Sequence, residues 1–316
     1  MIPKHHEVRF EVTTRCNYNC VFCGNEWVPN ATMSFKLFKQ LIDKVFNETN
    51  QYTTVSFVGI GEPLMDKNLE KKVKYTRKKY PGVFIPITTN GLLLTPARFI
   101  SLKEAGVNSF RISLQGTTPE TYAEASGVNP RNFYKVEENI LQIYPLKGKT
   151  ILIVTFITNN KQDLDKMIRE KAFWENTCDL LEVWTPHNHG AVFSYREIQK
   201  RRKKTCGLIF NGPLIVFVSG NIAMCCMDIF GDHILGNLRT QSLQEIFNSK
   251  QYKRIAECHK TGEYFKVKTP FMPCAYCDQL NWDKSEALIY NSKFKDYKRR
   301  VAAGSPIFNN LVKRKN

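Results

Sequence analysis

Three thiols fall within eight residues, Cys16-Asn17-Tyr18-Asn19-Cys20-Val21-Phe22-Cys23, at C-x3-C-x2-C spacing. Three kinds of chemistry suit such a run. Spacings of four and three place side chains on one helix face, and free cysteine packs as a small hydrophobe. Asn17-Tyr18-Asn19 is poor helix material, however, and no apolar period continues through it. A structural zinc ion wants four ligands; no fourth cysteine is near, so His5 or His6 would have to reach in. A four-iron cluster on three thiolates fits better, and leaves its fourth iron open to a substrate or cofactor.

The loop is positioned by its neighbours. Before it, Val8, Phe10 and Val12 alternate with Arg9, Glu11 and Thr13, the period of a strand. After it, a helix opens near Ser34 and carries Phe35, Phe38, Leu41, Ile42 and Val45 on one face. The pattern repeats. Strands are predicted over Thr53–Val58, Val83–Thr88, Ser109–Leu114, Thr150–Ile157 and Leu180–Thr185. Helices are predicted over Asp66–Tyr80, Thr95–Ala105, Pro130–Tyr144 and Lys161–Asn176. Such alternation implies parallel strands with right-handed crossovers, and six units are too few for a closed eight-stranded barrel. Parallel α/β architectures bind ligands at the carboxyl ends of their strands. Every candidate segment lies at such an end: Cys16–Cys23, Gly59–Pro63, Thr89-Asn90, Ser113–Gly116 and Trp184–His189. In the last, His187 and His189 stand at i, i+2, placed to ligate a metal, act as acid and base, or contact a substrate.

A second cysteine set follows the basic run Lys200–Lys204, which reads as an exposed junction. Cys206, Cys225 and the pair Cys274-Ala275-Tyr276-Cys277 can close a tetrahedral site for zinc or for an iron–sulfur cluster. Between them, Pro213–Val218 and Ile222–Cys226 read as a hairpin about Ser219-Gly220-Asn221, with a helix over Ser242–Glu257. Ten cysteines in 316 residues, with no export signal, favour metal binding over disulfides and a cytoplasmic protein. No apolar run approaches the ~18–20 residues of a bilayer span. The formal charge is +17, with further basic runs at Lys71–Lys74, Lys293–Arg300 and Lys313–Lys315. This suits an acidic partner or a phosphorylated or nucleotide-linked substrate, although solvated lysine-rich faces give the same count. No aromatic–basic interleaving points to nucleic acid.

The C-x3-C-x2-C loop after a first strand, with aromatic Phe22 before the last cysteine, resembles the signature of the radical S-adenosylmethionine superfamily. Gly61-Glu62-Pro63, with Gly59 two places earlier, is similar to that family's Gly-Gly-Glu-like segment. The resemblance covers about residues 7–280. It implies an open partial (βα)6 TIM-like barrel over 1–195, with Cys16, Cys20 and Cys23 holding a 4Fe-4S cluster that binds S-adenosylmethionine. Phe22, Gly59, Gly61, Glu62 and Pro63 would help seat the cofactor, and Asn90 and Ser113 would face its ribose or carboxylate. C-x13-G-x4-C from Cys206 through Gly220 to Cys225 resembles the opening of a SPASM-type extension, here over 196–285. No cysteine follows Cys277, so the resemblance is to the shortened twitch form. One auxiliary 4Fe-4S cluster would then sit on Cys206, Cys225, Cys274 and Cys277; the hairpin register favours Cys225 over Cys226. Residues 286–316 read as a basic tail. Cys226 and Cys258 are left as candidate hydrogen-atom donors to a substrate radical.

The expected function is hydrogen abstraction from an unactivated carbon by a 5'-deoxyadenosyl radical. Its outcome would be dehydrogenation or epimerisation of a polar, carbohydrate-like molecule, with a flavodoxin or ferredoxin as electron donor. Two alternatives stand beside it. One is a peptide-modifying maturase, disfavoured because the first strand begins near Glu7 and leaves no room for a leader-binding extension. The other is a non-catalytic zinc-binding interaction protein, which would hold zinc at both cysteine sets.

Overall fold

The first strand, β1 (Glu7–Phe10), alternates fully buried Val8 and Phe10 with partly exposed Glu7 and Arg9. The computed structural model describes residues 2–157, 166, 173–174, 176–184, 186–190, 192–194, 197–264, 273–282 and 288–290. In it β1 pairs in parallel with β2 (Thr54–Phe57), and the parallel run continues through β3 (Pro86–Thr89), β4 (Ser109–Ser113), β5 (Ile151–Ile157) and β6 (Leu180–Trp184). β2 is buried at every position, and β5 at all but its last. Burial on both faces is what a parallel sheet between helices and a packed lumen demands. The partial (βα)6 barrel inferred from the sequence is therefore the architecture the chain adopts.

Helices cover the outer face: α1 (Phe35–Glu48), α2 (Leu69–Lys79), α3 (Pro96–Ala105), α4 (Pro119–Ser126) and α5 (Arg131–Ile143). Their starts are written in the sequence. The Ser34 hydroxyl accepts the Leu37 N–H at 3.1 Å, and the Thr95 hydroxyl the Arg98 N–H at 3.3 Å. α1 buries Phe38, Leu41, Ile42 and Val45, each contributing about 1.5–3 kcal/mol by leaving water. α4 was not foreseen. Thr118 and Thr121 form its capping box, and Gly127 closes it in the left-handed region at φ 64°.

The C-terminal part differs from expectation in four places. Its hairpin, β7 (Leu214–Val216) and β8 (Asn221–Ala223), does not stand apart. β7 pairs in parallel with β1, and β9 (Ile234–Asn237) follows β8, so the barrel strands and the extension form one sheet. The expected helix Ser242–Glu257 is two helices, Leu243–Asn248 and Lys250–Thr261, broken at Ser249. That residue is extended, and its hydroxyl caps the second helix at the Tyr252 N–H, 3.1 Å away. The junction Lys200–Lys204 is not simply a solvated run. The Arg202 guanidinium donates to the carbonyls of Cys274 (3.2 Å), Ala275 and Cys277 (2.6 Å). Finally, β10 (Leu288–Tyr290), within the expected tail, pairs antiparallel with β6. The helix Lys161–Asn176 and the runs Lys293–Arg300 and Lys313–Lys315 lie largely or wholly outside the described residues.

Candidate active site

The thiol loop leaves β1 and is pinned from three sides. Thr13 bridges to Thr32, and the Thr14 hydroxyl accepts from the Ala31 N–H at 2.7 Å and donates to the Pro29 carbonyl at 2.7 Å. The Asn25 carboxamide donates to the carbonyls of Thr14 (2.6 Å) and Ile60 (3.1 Å), tying the loop to the glycine segment after β2. The backbone N–H groups of Asn19 and Val21 bind carbonyls at the end of α4, at 3.0 and 3.1 Å. Gly61 is required where the segment after β2 passes the start of the thiol loop. A Cβ there would run into the Thr13 carbonyl oxygen and the Thr14–Arg15 backbone, and one on Gly59 into Glu11. Both glycines thus serve the approach of one loop to another, a cause distinct from the cofactor contact expected of them.

Burial raises all three thiols above their usual range. Cys23 reaches about 11, with Cys16 its next cause, and Cys20 rises further, with Cys23 and Cys16 adding to burial. Thiolates packed this way repel one another, and a bound cationic iron cluster is what would relieve them. Glu62 is fully used within the protein. Its carboxylate accepts from Leu64 N–H (2.9 Å), Asn90 N–H (2.7 Å) and the Thr89 hydroxyl (2.8 Å), while burial pushes it up to about 7. It brackets the end of β3, where the Asn90 carboxamide reaches Asn17 beside Cys16 at 2.7 Å. Pro63 is buried in the turn that follows.

Below this rim lies a lumen of about 300 Å³, bordered by Phe22 and Ser113 and by both histidines. Its charges are paired. Arg9 forks onto Glu7 at 2.9 and 3.0 Å, and the Ser56 hydroxyl donates to Glu7 at 2.6 Å. Burial pushes the Glu7 carboxyl up, but Arg9 and Ser56 together hold it at about 2. Across the lumen Arg111 donates to Glu182 at 3.1 Å, and Glu182 also accepts from Thr155 and Trp184. Sequence reasoning missed this set, since polar residues alternating along a strand read as a solvent face. It also missed Glu11, which is pushed up to about 7 by burial and accepts from the Ile60 and Val218 N–H groups.

Cys206, Cys225, Cys274 and Cys277 border one small space together. Burial raises all four thiols, Cys277 to about 12. Cys226 does not border that space. It lies within electrostatic reach of Arg9 and Glu7 and also of Cys206 and Cys225. Cys258 sits on helix Lys250–Thr261 among Arg254, Glu257 and Glu263, behind the auxiliary set and away from the lumen residues. Neither Cys226 nor Cys258 is among the residues that border the lumen. His189 borders both the lumen and a second space of about 500 Å³ over Cys225, Cys274 and Cys277. Among the described residues no three His, Cys, Asp or Glu side chains converge to grip one metal ion. A four-iron cube gives each thiolate its own iron, so a cluster does not require the thiols of a set to converge on one point.

The chain belongs to the radical SAM superfamily, whose family model matches residues 10–170; a second model, the SPASM iron–sulfur cluster-binding domain, matches residues 206–278. Among particular relatives, it is 33% identical over 198 residues to the GTP 3',8-cyclase of Clostridium acetobutylicum, covering 58% of this chain and 60% of that one. It is 35% identical over 156 residues to that of Pelotomaculum thermopropionicum, covering 47% of each. The chain thus spans about half the length of these cyclases. Similarity to the S-adenosyl-L-methionine-dependent 2-deoxy-scyllo-inosamine dehydrogenase of Niallia circulans is lower, 21%, but covers 90% of this chain and 96% of that one. The fold matches BtrN in complex with AdoMet and 2-DOIA at TM-score 0.63 and 22% identity, over 88% of this chain and 94% of that one. It matches anSMEcpe with bound AdoMet at TM-score 0.63 and 18% identity, over 97% and 98%. No helix among the described residues is long and apolar enough to cross a membrane.

Proposed function

We propose that this chain is a radical S-adenosylmethionine oxidoreductase that oxidises a hydroxyl-bearing carbon of a small aminocyclitol- or sugar-like molecule. One observation carries the reading: a paired-charge lumen lies between the two thiol sets, with Phe22 of the first at one border and His189, shared with the auxiliary space, at another. Cys16, Cys20 and Cys23 would hold the reducing cluster, and Cys206, Cys225, Cys274 and Cys277 the auxiliary one. When bound, the first cluster and S-adenosylmethionine supply a 5'-deoxyadenosyl radical that takes a hydrogen atom from the substrate. The chain's own residues orient that substrate. Glu7 and Glu182 present carboxylate to amino and hydroxyl groups, Arg9 and Arg111 present guanidinium, and Ser113 and Thr155 add hydroxyls.

The near full-length similarity to a 2-deoxy-scyllo-inosamine dehydrogenase supports a polyol of this kind. Lumen volume agrees, since about 300 Å³ suits one six-membered ring. The lumen cations each face a carboxylate, which favours a substrate without phosphate over a phosphorylated or nucleotide-linked one. The net charge of +17 instead suits docking of an acidic one-electron donor such as a flavodoxin or ferredoxin. Epimerisation is a second outcome, for which Cys226, within electrostatic reach of Arg9 and Glu7, is the candidate hydrogen-atom donor.

The test is anaerobic reconstitution, then dithionite, S-adenosylmethionine and 2-deoxy-scyllo-inosamine. About eight irons, 5'-deoxyadenosine and a ketone support the reading. Tightly bound zinc with no nucleoside would sink it. Nucleoside with an epimer, lost in Cys226→Ser, would assign the second outcome.

A further inference from the structure

We propose that the Trp184 indole is the platform on which the substrate ring stacks, and that it admits a saturated ring with an open C–H face; the inference rests on the small polyol reading above. Trp184 ends β6 and borders the lumen. Its position is set from behind. The Glu182 carboxylate is fully buried two residues earlier, on the same strand face. It accepts the Trp184 Nε1–H at 3.1 Å, the Thr155 hydroxyl at 3.3 Å and the Arg111 guanidinium at 3.1 Å. Three lumen-lining side chains thus hang on one carboxylate. Indole has a single polar hydrogen, and here it is spent on Glu182, so what Trp184 turns to the lumen is ring surface.

The strand register gives that surface its surroundings. Trp184 pairs with Ile157; two residues back, Glu182 pairs with Thr155, and Thr155 with Ser113. Trp184, Ile157 and Pro186 therefore form an apolar shelf over a polar row. Neighbouring strands lie about 4.8 Å apart, so one six-membered ring reaches both. A cyclic polyol has the same two-sidedness. Its equatorial hydroxyls point outward round the rim, and its axial C–H bonds leave a face that packs on the negative face of an aromatic ring. An axial hydroxyl on that face would hold the ring off the indole. It would also lose its water without gaining a partner, because Nε1 is already taken.

The test is calorimetric binding to the reconstituted holoenzyme with S-adenosylmethionine bound and no reductant, so that nothing turns over. The probes are scyllo-inositol, with every hydroxyl equatorial, and chiro-inositol, with an axial hydroxyl on each face. Wild type should bind scyllo-inositol about tenfold more tightly than chiro-inositol. In Trp184→Met, which keeps apolar bulk without a ring, that preference should fall to about twofold or less, while Trp184→Phe should retain most of it. An indole that only filled the wall would weaken both probes alike, so an unchanged ratio in Trp184→Met overturns the platform. Equal wild-type affinities, or no binding of either inositol, overturn it even if no variant folds. Guanosine binding more tightly than scyllo-inositol also overturns it, since the partner would then be a flat aromatic ring. So does a Trp184→Met protein whose affinity for S-adenosylmethionine falls while the preference stays, which would give the indole to the cofactor. The oxidation is judged separately, with dithionite and 2-deoxy-scyllo-inosamine. A Trp184-dependent preference without ketone rejects the oxidoreductase reading and keeps the platform. Ketone without that preference keeps the reading and rejects the platform.

Discussion

Cys16, Cys20 and Cys23 come from eight consecutive residues, whereas Cys206, Cys225, Cys274 and Cys277 are gathered from between residues 206 and 277. The first set is shaped by its own loop, through Thr13, Thr14 and Asn25, and by the close pass of Gly61. The second is shaped by remote elements: a hairpin joined to β1, and Arg202 gripping three carbonyls around Cys274 and Cys277. One site is local and the other tertiary, so the two should fail independently and for different reasons.

The sharpest separation comes from removing ligands. Cys16/Cys20/Cys23→Ala should lower 5'-deoxyadenosine formation by about a thousandfold or more while keeping half the iron. Cys274/Cys277→Ala should also keep half the iron, yet still yield the nucleoside without ketone. Equal loss of both clusters in either variant would break the comparison. Next, Arg202→Ala should cost about 3 kcal/mol in denaturant unfolding, because three carbonyls lose a charged donor, and should deplete only the auxiliary iron. Lysine at 202 should restore little, since one ammonium does not reproduce the fork.

Acid should strike the wall between the sets. Glu7 is held at about 2 against an ordinary 4.5, so its stabilising pairing is complete above pH 4.5 and lost as pH falls toward 2. The loss should approach 3 kcal/mol, to order of magnitude, and Glu7→Gln should flatten thermal stability across that window. A wild-type curve already flat there would refute the pairing. The smallest effect is Gly61→Ala. It should cost about 2 kcal/mol through overlap with the Thr13 carbonyl and impair filling of the first set alone, read by iron count.

Much of this contrast was legible in sequence for the local site and little for the tertiary one. The β1 alternation, the Ser34 and Thr95 caps and the cysteine spacing depend on near neighbours, and they appear where the pattern put them. The parallel pairing of β7 with β1 does not, because it joins residues some two hundred positions apart. Arg202 looked like one more solvated cation, since nothing in a basic run reveals which guanidinium meets carbonyls. Glu7, Arg9 and Glu182 were hidden for a related reason: a polar strand face turned to a lumen and one turned to water share the same period. Ser249 breaks a helix whose apolar period continues across it, because its hydroxyl is worth more as a cap than as an interior position.

The pairing of β7 with β1 has a further consequence. An incomplete barrel ends in two strands whose outer N–H and C=O groups are open to any passing chain. Here β10 covers β6, and β7 covers β1. The cluster-bearing extension is thus also a guard against strand-to-strand aggregation. Cutting the chain before Cys206 would strip β1 and β6 alike of that cover and leave two sticky edges, so the barrel half expressed alone should polymerise rather than remain a soluble monomer.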